Sequence, residues 1–300
     1  MSDSATGSAD HAALQNRLLG LTRKRLEKFV SLLPKVLVSD HPDAIHDTRV
    51  WSRRLEQVFR VLFPKPRSAK SRKLVRTLRN VRRALGECRN IDVSIDLIQQ
   101  KLDSGNSQTI REAWAQIQEH LRQKRAAEIE RSREELTRHD IIAFVTRTQA
   151  LLQSTELHNG PNGILKKGVA EALADWEEAF AAARESPEAN QIHALRIAGK
   201  RLRYRAELLA ELGETPFKSL AKSLKSLQNE LGHWHDCLVL LQFVADFIGR
   251  PDFLVNHPEL GRVLLTEMEK ERHRNDSTLA DVFESAEKIR EWRARSAPED

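Results

Sequence analysis

Between residues 43 and 63 the apolar and charged positions separate onto opposite faces of a helix. Val50, Val58, Val61 and Leu62 suit a core, while His46, Arg49 and Arg53 fall within about 60° of one another on the other side, where Arg60 joins them. Breakers divide the chain into further segments of this kind. Pro64 and Pro66 end the helix that starts near Pro42, and Gly86 and Gly232 come where a helix would stop. Ser186-Pro187-Glu188 and Thr215-Pro216 each put a capping hydroxyl before a proline suited to the first helical position. The expected helices lie near 10–38, 43–63, 68–86, 90–103 and 108–138, with a short connecting helix at 140–155. After a linker at 156–163, a second set lies near 163–184, 188–211, 216–232, 235–249, 257–273 and 277–295. Residues 1–9 are expected to be disordered.

The two sets repeat one another. Ile45-His46-Asp47-Thr48-Arg49-Val50 through Arg53-Arg54-Leu55 aligns without a gap on Ile192-His193-Ala194-Leu195-Arg196-Ile197 through Lys200-Arg201-Leu202, at an offset of 147. Both read I-H-x-x-R-[VI]-x-x-[RK]-R-L. Leu78-Arg79 through Leu85-Gly86 matches Leu224-Lys225 through Leu231-Gly232 at an offset of 146. Self-similarity over that period points to an internal duplication. The expected fold is all-α, with two helical bundles side by side: a first repeat at 10–155 and a second at 164–296.

Composition agrees with the helical reading. Charged residues make up 31% of the 300 positions and aromatics 5%, with only 12 Gly and 10 Pro to make turns. No apolar run approaches the roughly 20 residues of a membrane span. No basic-then-apolar leader opens the chain, and Cys88 and Cys237 cannot form a disulfide framework, so a reducing cytoplasm is the expected location.

A net charge of +6 says little until it is placed along the chain. Residues 46–92 carry +10 and residues 193–238 carry +3, which leaves −7 for all the others. On the helix after Pro66, Arg72, Arg76, Arg79 and Arg83 form one line. Shifted by 146 they land on Lys218, Lys222, Lys225 and Asn229. His193, Arg196, Lys200 and Arg203 repeat the His46 face. Like charges one turn apart cost a few tenths of a kcal/mol per pair, so helix stability does not call for such stripes. A solvated face mixes its signs. Stripes of one sign that recur point to an anionic partner.

These motifs resemble the CHAD family, the conserved-histidine α-helical domain. The resemblance rests on the two I-H-x-x-R segments, the L-x-x-x-x-x-x-L-G segments at 78–86 and 224–232, and Arg89-Asn90-Ile91-Asp92-Val93 with its partner His235-Asp236. It implies two pseudo-two-fold-related four-helix bundles with long additional helices, whose basic faces meet at a central surface or pore. It also implies non-enzymatic binding of inorganic polyphosphate, association with polyphosphate granules and their proteins, and no cofactor or metal. The implied contacts are His46, Arg49, Arg53, Arg54, Arg60, Arg72, Arg76, Arg79, Arg83 and Arg89, with His193, Arg196, Lys200, Arg201, Arg203, Lys218, Lys222 and Lys225. Arginine's planar fork bonds two phosphate oxygens at once, and cations roughly 5–6 Å apart can meet successive phosphates. Where the family has Arg-Asp after the glycine helix, this chain has Arg89-Asn90 and His235-Asp236, and Asn229 interrupts the second stripe. The first copy is therefore expected to dominate. The triphosphatase signature that often accompanies the family, E-x-E-x-K, does not appear: Glu267-Met268-Glu269-Lys270-Glu271 ends in the wrong residue.

Two rival readings use the same residues. A nucleic-acid binder would meet phosphates in the same way, and for it polyphosphate and nucleic acid are competing polyanions. It needs exposed aromatics for stacking, however, and Trp51, Phe59, Phe63, Tyr204, Phe217 and Trp234 are sparse and mostly on apolar faces. A metal-dependent phosphohydrolase could draw on His233-Trp234-His235-Asp236-Cys237, but the two histidines point about 160° apart on a helix. No phosphate-binding G-x-x-x-x-G-K-[ST] loop or G-x-S-x-G elbow is present.

Overall fold

A computed structural model describes residues 3–63, 68–104, 107–154 and 161–296, and among them every regular element is a helix. The helices are α1 (Asp3–Val38), α2 (Pro42–Leu62), α3 (Ala69–Ala84), α4 (Gly86–Asp103), α5 (Gln108–Thr137) and α6 (Ile141–Gln153). They continue with α7 (Pro161–Glu185), α8 (Ala189–Glu211), α9 (Pro216–Ile248), α10 (Pro251–Asn256), α11 (Pro258–Ser277) and α12 (Leu279–Ser296). Pro64, Pro66 and residues 156–160 of the expected linker lie outside the described residues, as do Met1 and Ser2 of the segment expected to be disordered. The helical bounds of α1 reach back to Asp3, inside that segment, and Pro161 to Gly163 open α7 rather than close the linker.

The caps differ from those expected. Neither Ser186 nor Thr215 caps a helix through its side chain; α8 begins after Glu188, and α9 starts at Pro216 without a side-chain cap. At α2 it is His41 that accepts from the Asp43 amide, just before Pro42.

The larger difference concerns the two glycines. The first helix pair does break beside Gly86, at Leu85 (φ −89°, ψ 8°), and Gly86 becomes the first residue of α4. The carbonyls left open at the end of α3 find side chains: Ser132 of α5 donates to Ala84 O at 2.8 Å, and Arg49 of α2 donates to Arg82 O. At Gly232 the chain was expected to stop in the same way, with separate helices at 216–232 and 235–249. Instead α9 runs through it unbroken. A glycine inside a helix costs about 1 kcal/mol, which tertiary packing offsets. Leu231 and Trp234 on either side are buried, and Asn275 of α11 donates to Trp234 O at 3.1 Å.

Three cores hold the helices together. One gathers α7, α8, α12 and the first half of α9, with Val58, Val61 and Leu62 from α2. Another gathers the second half of α1, most of α2, α3, the end of α5 and Phe144 of α6. The third packs Ile91 and Ile98 of α4 and Trp114, Ile117 and Leu121 of α5 against Leu240, Val244 and Phe247 of α9 and Leu264 of α11. This last core takes residues from both sequence halves. At the centre α2 packs on α3 and α8, and α8 on α9, giving a layer in the order α3–α2–α8–α9. No helix among the described residues is long and apolar enough to cross a membrane.

Candidate anion-binding site

The α2–α8 contact brings the two repeated motifs face to face. From α2 come Arg49 and Arg53, with His46 at the exposed rim; from α8 come Arg196 and Lys200, with His193 at its rim. Arg89 of α4 stands beside His46 and Arg49, and His235 and Asp236 of α9 stand beside Arg196 and Lys200. The rings of His193 and His235 are 5.5 Å apart, and His46 and Arg89 form the corresponding neighbours in the first half.

Asp236 is the acid that faces this crowd of cations. Burial, followed by Arg53, Arg82, Arg89 and Arg196, lowers the Arg49 guanidinium to about 10. Burial, then Arg196 and Arg53, lowers the Lys200 ammonium to about 7. His235 falls to about 4, through burial and then Arg196. His46 and His193 are also held below the ordinary histidine value, by burial and then by Arg89 and Arg196 respectively. Burial raises the Asp236 carboxyl, against the pull of Arg196 and Lys200. Arg49, Arg196 and Lys200 each lose solvent and gain like-charged neighbours, so the cluster is held at an electrostatic cost.

Arg53, Arg89, Arg196 and Lys200 make no side-chain hydrogen bond or ion pair among the described residues, and the buried Nε of Arg196 has no partner. Arg25, by contrast, pairs with Glu211 at 2.8 Å. The break in the first helix pair accounts for one asymmetry. Arg49 reaches across Gly86, where a Cβ would lie 3.5 Å from its Nη1, to the open carbonyl of Arg82. Because α9 does not break at Gly232, Arg196 is offered no such carbonyl. Gln228 instead donates its amide to Arg196 O at 3.3 Å. The half expected to be the weaker thus holds the freer arginine.

The remaining candidates divide by their partners. Arg72, Arg76, Arg79 and Arg83 form an exposed row on α3, and Lys218, Lys222 and Lys225 form an exposed row on α9. Arg79 is tied to α2 through Glu56 at 3.3 Å. Arg60 also bonds Glu56, at 2.7 Å. Arg201 turns outward to Asp175 at 2.7 Å, and Arg203 pairs with Glu207 at 2.6 Å and lies over the Tyr204 ring. Arg54 lies over Trp51, 4.9 Å from its ring centroid.

Sequence reasoning missed Glu56 and Arg82. Glu56, 5% exposed, gathers Arg60, Arg79 and Arg82 around one carboxylate. Burial alone would raise that carboxyl, but Arg82 and Arg60 outweigh it and hold it below its ordinary value. Its signal was faint: one acid four residues before Arg60 in a run of cations. His235 stood in the sequence as the counterpart of Arg89 and within a possible metal motif, and its place beside His193 is a consequence of the fold. Among the described residues no group of three or more His, Cys, Asp or Glu is gathered where a metal could sit.

No curated protein sequence matches the chain. The crystal structure of the CHAD domain from the plant Ricinus communis is similar to it, with a TM-score of 0.69 over 92% of this chain and 91% of that one. The identity is 17%, so that likeness concerns the fold. Residues 20–245, which include both I-H-x-x-R segments and all of the α3–α2–α8–α9 layer apart from the last turn of α9, match the family model of the CHAD domain, and the chain belongs to that family.

Proposed function

We propose that the protein binds inorganic polyphosphate without transforming it, with the cations between α2 and α8 as the centre of the site. The observation that carries this reading is the group Arg53, Arg89, Arg196 and Lys200, half-buried and without a side-chain hydrogen bond or ion pair among the described residues, with Asp236 and, beside Arg89, Asp92 as the acids near it. A protein keeps such a group against its own repulsion when an anion completes it. A flexible chain with roughly one charge per phosphate can meet the cations of both helices with successive phosphates. The exposed rows on α3 and α9 extend the positive surface to either side of the centre, which suits a long ligand. Localisation at polyphosphate granules, with granule proteins as partners, follows from this reading.

Nucleic acid is the competing polyanion. Phe59, Tyr204 and Trp234 are buried and Trp51 lies beneath Arg54, so the basic surface offers few rings on which bases could stack. The test is competition. Long-chain polyphosphate is expected to displace DNA at a much lower concentration of phosphate groups, near physiological salt. Displacement at equal phosphate concentration would refute the reading. Release of orthophosphate from polyphosphate by the purified protein, with or without divalent metal, would overturn the non-enzymatic part.

A further inference from the structure

Lys200 is the member of the central cluster whose charge can change near neutral pH. Two of the three helices packed against α8 bear on it. Its own helix supplies Arg196 and Arg203, with His193 further back; α2 supplies Arg53; α9 supplies His235 and the acid Asp236. The third neighbour, α7, directs its Asp175 to Arg201 and sets Trp176 against Gly199. Lys200 has no side-chain hydrogen bond or ion pair among the described residues. Arginine keeps its proton at any physiological pH, so a crowd of cations removed from water relieves its repulsion through its lysine. The ammonium of Lys200, brought down to about 7 by burial and then by Arg196 and Arg53, is in keeping with that position.

We propose that anion binding between α2 and α8 is proton-linked, with Lys200 passing from amine to ammonium as the anion arrives. This rests on the polyphosphate reading above and adds to it a regulation of the same site. The proton comes from solvent, and no covalent bond is made or broken. Phosphate oxygens favour the charged form and raise the bound pKa, so affinity is greatest below the free value of about 7 and falls as pH rises above it. One proton taken up corresponds to a loss approaching about tenfold in affinity per pH unit. His46, His193 and His235 are all held below their ordinary value, so the affinity they add starts to fall at a lower pH than that from Lys200.

The experiment is calorimetric titration of the full chain with long-chain polyphosphate, so that end groups contribute little, in two buffers of different ionisation enthalpy. Between about pH 7 and pH 8.5 the wild type is expected to take up a substantial fraction of a proton and to lose about tenfold in affinity. Lys200→Arg, whose charge is fixed, should bind polyphosphate without the slope. Lys200→Met, which fits the same space without charge, should bind more weakly and also without the slope. It serves if the arginine does not fit. A wild type that binds with no proton uptake, or a slope that persists in both variants, overturns this inference alone. Absence of binding at every pH overturns the polyphosphate reading and this inference with it.

Discussion

Gln228 of α9 lies so closely over Gly199 of α8 that a Cβ there would stand 2.5 Å from its amide nitrogen. The amide donates to Arg196 O, which orders the backbone beneath that arginine. In the first half the same stations hold Arg82 and Ser52, at 3.5 Å. Gly199→Ala would gain about 1 kcal/mol of helix propensity. It must also displace a buried amide and its hydrogen bond, with Trp176 3.6 Å from the added carbon. The net expectation is a destabilisation of about 1–2 kcal/mol, read by thermal unfolding. Gly199→Ala with Gln228→Ala should be more stable than the separate effects predict. A single variant at or above the wild-type midpoint would show that Gln228 swings aside freely.

Glu56→Gln should be far more damaging than a change of one surface acid. It leaves Arg82, 15% exposed at its side chain, together with Arg60 and Arg79, without their shared carboxylate. Breaking a buried pair in this way costs about 3 kcal/mol, measurable as a lower urea midpoint near neutral pH. The folded carboxyl titrates below its ordinary value, so its contribution is present above the unfolded carboxylate range. It is lost as pH falls through the folded value. The gap between wild type and variant should therefore narrow on acidification below about pH 4. A gap that stays constant would mean that Glu56 acts by packing instead of charge.

Arg53→Met should separate stability from binding. Arg53 faces Arg49, Arg196 and Lys200, and no carboxylate pairs with it among the described residues. Replacing it with an apolar chain of similar length relieves repulsion, and the melting temperature should rise. Polyphosphate affinity should fall by about tenfold or more, the worth of one charge-assisted contact. A variant that melts lower and binds normally would contradict both halves of this expectation.

The α3 row should matter in proportion to ligand length. Replacing Arg72, Arg76 and Arg83 together with Gln leaves Arg79 in place with Glu56, so the fold should be unaffected. Affinity for long polyphosphate should drop, and the slope of log affinity against log salt should lessen by about two to three. Chains of a few phosphates should bind as before. Unchanged binding of long chains would remove the row from the site.

Much of this architecture was legible because helices announce themselves through spacing. The two I-H-x-x-R segments, their offset and their facing cations all follow from periodicity and repetition. What spacing does not encode is partnership between distant helices. Arg201 and Lys200 are adjacent in sequence and equally basic, yet one turns to Asp175 on α7 and the other into the cluster. Arg82 and Arg83 look alike in the chain, but only the first reaches Glu56. Gly86 and Gly232 have the same local sequence signal. Ser132 and Arg49 take the carbonyls exposed by a break at the first, and Asn275 bonds an unbroken helix near the second. Those partners lie up to 48 residues away.

The unbroken course of α9 has a consequence for how the chain can be divided. Its first half belongs to one core, and residues 240–248 belong to another that α4 and α5 complete. A chain severed between α6 and α7 would leave α4 and α5 with an uncovered apolar face and α9 with a protruding one. Each fragment would be sticky and incomplete by itself, and the two would regain structure only on meeting. Neither part of the chain is therefore a self-sufficient structural unit.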